Sequence, residues 1–349
     1  MISHNILLKR LVFALILFQS TFLLAQNNEK LYYFSTADST KVGAKTESGK
    51  IIVPAKFSNY GNYDFKEPIE EAIIEFIGTE KTKDYSSKLP LMPAGEVYDR
   101  HGKFLYYPQW FDNGIDYFEE GLRRYVDGNK VGFADKDGNL TIPAQWDFAE
   151  PFQYGYAKVN VGGWKKQYEK GGEHWSIVPS SKKSESYLIN KKGEKVETYK
   201  TKKHPKDYEV GGVYYPYPYT YTSTEQKVLN SLKNLDIIND IRLAPCDNCV
   251  KKDQLLDFEI TEKPRDFFPY YVIQGYVNQS KESDAVFIIS TDISKIYHYS
   301  WDGEIIPLRE WIISELEEFK TYFETHPNKP NYFDVDKSLQ YWKNLPEEK

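Results

Sequence analysis

With two cysteines in 349 residues, the chain cannot build a thiolate metal framework or a disulfide-rich scaffold. The pair is Cys246 and Cys249, a lone C-x-x-C. A structural zinc site needs a second pair of ligands, and no histidine lies beside this one. In an oxidising compartment the two read as a local disulfide, with free thiols or a redox site as alternatives. A thioredoxin-like motif sits between a strand and a helix, whereas this one follows Leu243-Ala244-Pro245 in an apparent loop. Histidine is equally scarce, with six scattered along the chain. There is no G-x-S-x-G elbow and no H-E-x-x-H pair. Gly43 to Lys50 approximates a phosphate loop, but its glycines, Gly43 and Gly49, stand one residue too far apart, and Ile51 replaces the magnesium-binding hydroxyl. No catalytic set, cofactor-binding set or metal-ligand set follows from the residues. Positive charge is also in deficit, at a formal net charge of -6, which argues against nucleic acid as a partner.

Long hydrophobic runs are missing beyond the first 25 residues. Lys9 and Arg10 precede an apolar run from Leu11 to Leu24, broken only by Gln19, Ser20 and Thr21. Ala25 then offers a small residue for cleavage, so residues 1–25 read as a secretory signal peptide. The run is shorter than the ~20 apolar residues that span a bilayer. No cysteine stands at the cleavage point, which argues against lipid attachment there. The expectation is an exported protein, periplasmic, cell-surface or extracellular, with no transmembrane segment in the mature chain. Loss of Lys9 and Arg10 takes the net charge from -6 to -8.

Aromatics are plentiful: 16% of residues, with 29 tyrosines and 7 tryptophans. Tyrosine suits half-buried strands, where a ring face packs and the hydroxyl stays wet. The aromatics fall into a repeating pattern. Gly49 is followed by Pro54 and Phe57, Gly102 by Pro108 and Trp110, and Gly138 by Pro143 and Trp146. In each case the aromatic stands at the same spacing from its glycine. Around Gly138 the pattern reads as strand, aspartate-rich turn, strand ended by proline, aromatic anchor, second turn and final strand. Val42-Gly43 matches Val131-Gly132, and Phe118-Glu119-Glu120-Gly121-Leu122 matches Phe152-Gln153-Tyr154-Gly155-Tyr156. The proline of the middle copy arrives one residue late, which suggests a bulge. A decayed fourth copy runs from Gly163-Trp164 through an inserted polar loop to Tyr187-Leu188-Ile189-Asn190-Lys191-Lys192-Gly193. Atypical end copies are normal in repeat arrays.

On these residues, roughly 40–196 resemble the WG-repeat family. The turn, proline, aromatic and final strand match. Valine stands where the name-giving tryptophan is typical, at Val42 and Val131. The resemblance implies a β-rich repeat module found in bacterial envelope and secreted proteins, and it implies no activity. One hairpin buries too little surface to stand alone, so copies are expected to share an apolar face. Phe57, Trp110 and Trp146 are the expected packing anchors, helped by Phe118 and Phe152. An aromatic platform for sugars or peptides is the alternative role.

The second half reads differently. Tyr214 to Tyr221 alternates tyrosine with proline and is expected to be an extended connector. Ser223 and Gln226 suit a capping box before a helix over 224–238. Strands at 270–277, 285–289 and 296–299 follow, then a turn at Asp302-Gly303 and a helix over 308–324. The expected fold is an all-β domain of antiparallel hairpin repeats followed by a smaller α+β domain. The expected divisions are signal peptide 1–25, repeat domain 26–200, Tyr/Pro-rich linker 201–222, α+β domain 223–325 and C-terminal tail 326–349.

The leading functional reading is a non-enzymatic scaffold or binding module for protein or glycan. The alternative is a hydrolase of envelope or extracellular polymers, with His298, Asp302 and Glu304 near one turn of the second domain. Glu119-Glu120 and the carboxylates Glu315, Glu317 and Glu318 read as solvated faces. Lys165-Lys166, Lys182-Lys183 and Lys191-Lys192 read as solubilising charge or as contacts to an acidic polymer.

Overall fold

One short turn recurs five times among the described residues, and its chemistry is local. In Thr46–Lys50, Asp99–Lys103, Asp135–Asn139, Asn190–Glu194 and Ser300–Glu304 the first N–H bonds the carbonyl of the last residue. The glycine in fourth place returns its own N–H to the first carbonyl. Those glycines hold φ between 80° and 93°, where a Cβ is disfavoured. The first side chain also accepts the N–H of the last residue: Thr46 from Lys50, Asp99 from Lys103, Asp135 from Asn139, Asn190 from Glu194 and Ser300 from Glu304. An oxygen-bearing residue three places before glycine therefore defines each hairpin. The fifth copy lies in the C-terminal region, outside the expected array.

The structure is a computed structural model that describes residues 29–61, 63–86, 88–111, 114–172, 174–246, 251–300, 303–327 and 333–346. Residues 1–25, the expected signal peptide, lie outside them, as do Cys249 and Asp302.

The first hairpins form two antiparallel sheets. Strands β1 (Leu31–Ser35), β2 (Lys41–Thr46) and β3 (Ile51–Ser58) pair in that order. Then come β4 (Ile73–Ile77), β5 (Gly95–Asp99), β6 (Phe104–Pro108), the small pair β7 (Trp110–Phe111) and β8 (Gly114–Ile115), β9 (Leu122–Asp127), β10 (Lys130–Asp135) and β11 (Ile142–Trp146). The second sheet runs β11-β10-β9-β6-β5-β4. The final strand of one copy thus pairs with the opening strand of the next, as β4 does with β5. The β5–β6 ladder shifts register between Val97 and Tyr98, but the β2–β3 ladder shifts at the equivalent place, between Ala44 and Lys45, so the shift does not follow from the late proline of the middle copy.

The glycine of the Val-Gly pair has a stated reason. A Cβ on Gly132 would stand 2.5 Å from the Ile142 carbonyl oxygen and 2.6 Å from the Ala144 nitrogen. A Cβ on Gly43 would stand 2.5 Å from the Val53 oxygen and 2.7 Å from the Ala55 nitrogen. The backbone flanking the repeat's proline therefore crosses directly over this glycine. In the first copy the β2–β3 register slips at this place, so Val42 pairs Phe57 while Ala44 pairs Val53.

The second turn of each full copy is tighter. Glu119 and Leu122 exchange backbone hydrogen bonds, as do Gln153 and Tyr156. Both central residues have positive φ, Glu120 and Gly121 in one copy and Tyr154 and Gly155 in the next. This is a two-residue type I′ hairpin, the form that matches strand twist.

The later strands are β12 (Phe148–Ala149), β13 (Tyr156–Val161), β14 (Trp164–Tyr168), β15 (Trp175–Pro179) and β16 (Glu185–Asn190). They pair as β12-β13-β16, with β14-β15 as the inserted hairpin. Strands β17 (Tyr208–Val210) and β18 (Val213–Tyr215) form a further hairpin. Helices α1 (Ser223–Lys233) and α2 (Asp236–Leu243) precede a five-stranded antiparallel meander. Its strands are β19 (Asp257–Glu262), β20 (Tyr270–Val277), β21 (Ser280–Ser290), β22 (Ile296–Tyr299) and β23 (Ile305–Pro307), followed by helices α3 (Leu308–Thr325) and α4 (Val335–Asn344). The chain is mostly antiparallel β, with its helices in the C-terminal region, as the sequence indicates.

Several boundaries differ from the sequence reading. The single helix expected over 224–238 is two, α1 and α2. The capping box is Thr222 with Glu225, one residue earlier than Ser223 and Gln226, and both of its reciprocal bonds form. Residues 201–222 are not a free linker: they contain β17 and β18, and Tyr217, Tyr219 and Tyr221 donate to buried carboxylates of the fold. Within the expected tail 326–349, α4 packs Val335 and Leu339 into the core that holds Leu308 and Ile312 of α3.

Contacts divide the chain into two compact units. The first comprises 1–117, 124–145 and 165–177; the second comprises 118–123, 146–164 and 178–349. The division does not fall at residue 200. In the first unit, Phe57 stacks on Phe76 at 4.2 Å with rings 8° from parallel, and meets Tyr98 edge-on. Leu31, Val42, Val53 and Ile74 complete that core. In the second unit, Phe258, Ile260, Ile273 and Phe287 face Val228, Leu232, Trp311 and Ile312 of the helices.

Candidate functional site

Groups able to do chemistry are held inside by other groups. Glu259 lies between Phe258 and Ile260, so strand alternation points it away from the helices. It is 0% exposed and accepts from Lys206 at 2.8 Å, Tyr217 at 2.6 Å and Tyr221 at 2.5 Å. Glu120, on its I′ turn, accepts the Gly155 N–H at 3.0 Å, Tyr276 at 2.9 Å and Tyr219 at 3.4 Å. Lys191 lies 3.2 Å from the same carboxylate and donates to the Glu120 carbonyl. The carboxylate of one repeat's turn therefore holds the turn of the next copy.

Tyrosine rings join these two carboxylates. Tyr154 is buried and touches Tyr208, Tyr219 and Tyr276 with centroids 5.1–5.5 Å apart. Tyr219 stacks on Tyr221. Burial, then the adjacent Glu120, raises the Tyr219 and Tyr276 phenols far above the ordinary value. Burial and Glu259 do the same to Tyr221 and Tyr217. All these phenols stay protonated donors. Beyond β18, proline keeps residues 216–221 out of a ladder, and the hydroxyls of Tyr217, Tyr219 and Tyr221 find carboxylates instead.

Glu119 pairs with Lys281 at 2.5 Å, and Glu317 with Lys343 at 2.5 Å. Glu315 is half-buried, and burial together with Glu318 raises its carboxyl. Asp116 and Arg124, both 2% exposed, form a forked ion pair. His298 is 5% exposed; its ring stacks on Trp311 at 4.3 Å, and Nε2 lies 2.9 Å from the Asp284 carbonyl. Burial lowers its basicity. Glu304 sits exposed on its turn, accepting nothing from His298, and Asp302 lies outside the described residues. The structure does not bring His298 and Glu304 together. Cys246 is disulfide-bonded, and Cys249 lies outside the described residues.

Two of the packing anchors are buried, Phe57 and Trp146; Trp110 is half-buried. Trp146 donates its indole N–H to Tyr187 of the fourth copy at 3.1 Å. Phe152 is buried, while Phe118 is half-buried under the Arg123 guanidinium at 4.3 Å. Of the lysine pairs, Lys166 lies 4.4 Å over the exposed Trp175 ring, Lys191 is bound to Glu120, and Lys165, Lys182, Lys183 and Lys192 are exposed.

The open surface lies elsewhere, and the sequence reading missed it. A groove of about 490 Å³ runs over β1, lined by Tyr32, Phe34, Ser35, Lys45, Phe65 and Lys66 among others. Lys45 sits 5.6 Å over the Phe34 ring. Alternation in β1 and β2 is the one signal that could have found this face: Tyr32 and Phe34 point opposite to Leu31.

The architecture is that of a β-repeat protein: antiparallel hairpins with a shared turn, a crossed-over glycine and aromatic links between copies. Residues 132–163 match the family described as WG containing repeat. Over this stretch, which begins at the Gly132 that the proline crosses, the chain is similar to that family. No curated protein and no solved structure matches the chain.

Proposed function

We propose that the protein is an exported, non-enzymatic repeat protein that serves as a scaffold or binding module for protein or glycan in the bacterial envelope or outside it. The observation that carries this reading is the contrast between inside and outside. The side chains of Glu259, Glu120 and Asp116 are buried and engaged by neighbouring groups, and His298 is buried with its Nε2 on the Asp284 carbonyl, while the groove over β1 exposes aromatic rings and lysines. Buried carboxylates saturated by tyrosine and lysine donors favour a rigid body over proton transfer. A rigid body with an aromatic groove suits recognition. Export is supported by the sequence of residues 1–25 and by the disulfide at Cys246. No described helix is long and apolar enough to cross a membrane.

The test is a binding and turnover panel on the purified mature chain. Envelope polysaccharides, outer-membrane extract and denatured envelope protein are offered as ligands, and the same preparations are assayed for hydrolysis products. Saturable binding without turnover is expected. Turnover of any of them that is lost in His298→Gln or Glu304→Gln would overturn the reading.

A further inference from the structure

Two sheet edges in the first unit are treated in opposite ways. On β4 the backbone groups of residues 73, 75 and 77 point away from β5. The Tyr33 hydroxyl bonds both the N–H and the carbonyl of Glu75, and the Tyr63 hydroxyl accepts the Ile77 N–H. Tyrosine side chains seal that edge. On β1 the even residues face β2, as the Glu47 to Lys30 and Thr36 to Lys41 backbone bonds require. Residues 31, 33 and 35 face outward. The Leu31 carbonyl is taken by the Ile69 N–H at 2.7 Å. Beyond that point no described residue pairs with the outward N–H and carbonyl groups of Tyr33 and Ser35. An open edge of this kind is a template for a further strand, and proteins commonly block such edges.

The groove lies along this opening. Phe65 and Lys66 belong to the loop that reaches Leu31 through Ile69, and they form one wall. Tyr32 and Phe34 form the floor, with Lys45 and Glu47 of β2 behind. Neither Lys45 nor Lys66 makes an ion pair with a described residue, on a chain whose net charge is -6. Two unpaired ammonium groups beside one carboxylate select an anionic partner, and a row of bare backbone groups selects an extended main chain.

We propose that β1 is a strand-addition site for an extended acidic peptide, which pairs with Tyr33 and Ser35 and places carboxylates at Lys45 and Lys66. This deepens the binding-module reading and rests on it. The backbone row gives the peptide its register, and the rings and lysines choose its side chains. Self-pairing of two β1 edges is disfavoured, because it would bring the lysines of both copies together. An acidic glycan could meet the lysines but has no main chain to offer the edge.

The test uses the mature protein and three probes: an alternating valine–glutamate octapeptide, the matching valine–lysine octapeptide, and an oligogalacturonate. Ser35→Pro removes one outward N–H without touching the β2 ladder. Lys45→Glu and Lys66→Glu reverse the charge. The acidic peptide is expected to bind, the basic one not to bind. Ser35→Pro is expected to weaken binding about fivefold. Each lysine reversal is expected to weaken it about tenfold at low salt, and high salt to do the same in the wild type. Hydrogen exchange at the Tyr33 and Ser35 amides is the second readout and needs no variant: both should slow about tenfold or more when peptide is added. Peptide binding with unchanged exchange at these amides overturns strand addition, as does preference for the oligogalacturonate. If the peptide fails while the ligand panel above still gives saturable binding, the β1 assignment falls and the binding-module reading stands. If both fail, both fall.

Discussion

Replacing Gly132 by alanine tests whether the repeat's glycine is fixed by crowding. The added methyl would lie 2.5 Å from one backbone atom and 2.6 Å from another, against an ordinary contact of 3.4–4 Å. Two of the obstacles are backbone at the proline crossover and the third, at 2.7 Å, is the buried Tyr125 ring, so the site cannot relax by a side chain swinging aside. Overpacking in a fitted site costs about 1–3 kcal/mol, and rigid obstacles place this case near 3. Alanine also narrows the unfolded ensemble, which returns about 0.4–1 kcal/mol. The net loss is about 2 kcal/mol, or roughly 4–8 °C in the midpoint for a unit of this size. The assay is thermal unfolding followed by tryptophan fluorescence and far-ultraviolet circular dichroism. Gly43→Ala should lose a similar amount, because its contacts at 2.5 and 2.7 Å are nearly the same. Gly114, with nothing within 4 Å of its ideal Cβ, is the control and should change the midpoint little or raise it slightly. If Gly132→Ala and Gly43→Ala both melt with the wild type, the crossover does not set the repeat.

Further expectations concern the buried polar groups. Glu259→Gln leaves Tyr217, Tyr221 or Lys206 facing an amide N–H and should cost about 2 kcal/mol in urea unfolding; an unchanged midpoint would contradict the network. Tyr219, Tyr221 and Tyr276 keep their protons in the folded state while the unfolded phenols ionise near 10.0. Their folded values are raised, so stability is fully present below that pH and falls as pH rises above it. Ultraviolet titration should show tyrosine ionisation coupled to unfolding on this limb, and free titration of every phenol in the folded protein would refute it. His298 has the opposite sign: its folded value is lowered from 6.5 by burial, so stability falls as pH drops below 6.5. His298→Gln should flatten that limb of the stability–pH curve.

Much of the array is legible because its rules are local. A residue with a side-chain oxygen three places before a glycine fixes the hairpin at Asp99, Asp135 and Asn190 without help from the rest of the chain. The constant spacing to Phe57 and Trp146 exposes their shared structural role, and both are buried. Trp110 keeps the spacing but belongs to the small β7–β8 pair, where it pairs with Ile115, and is half-buried. What the sequence hid is set by tertiary partners. Tyr217 and Tyr221 look like connector residues because proline breaks strand pairing around them, and only the distant Glu259 gives their hydroxyls a reason to be inside. Thr222–Glu225 and Ser223–Gln226 have the same spacing, so spacing alone does not choose between them, and in the fold Glu225 gains a second partner in the distant Lys263. The open edge of β1 has no composition of its own. It follows from which strand lacks a neighbour, and that depends on the path of residues 59–72.

The claim beneath all of this is that aromatic rings couple successive copies into one cooperative body. The contact of Phe57, the anchor of the first copy, with Tyr98 on β5, the opening strand of the next, is the cleanest case. A double-mutant cycle with Phe57→Leu and Tyr98→Leu, followed by urea unfolding, measures that coupling directly. The account predicts an interaction energy of about 0.5–1.5 kcal/mol beyond the single losses. Strict additivity of the two substitutions would contradict it.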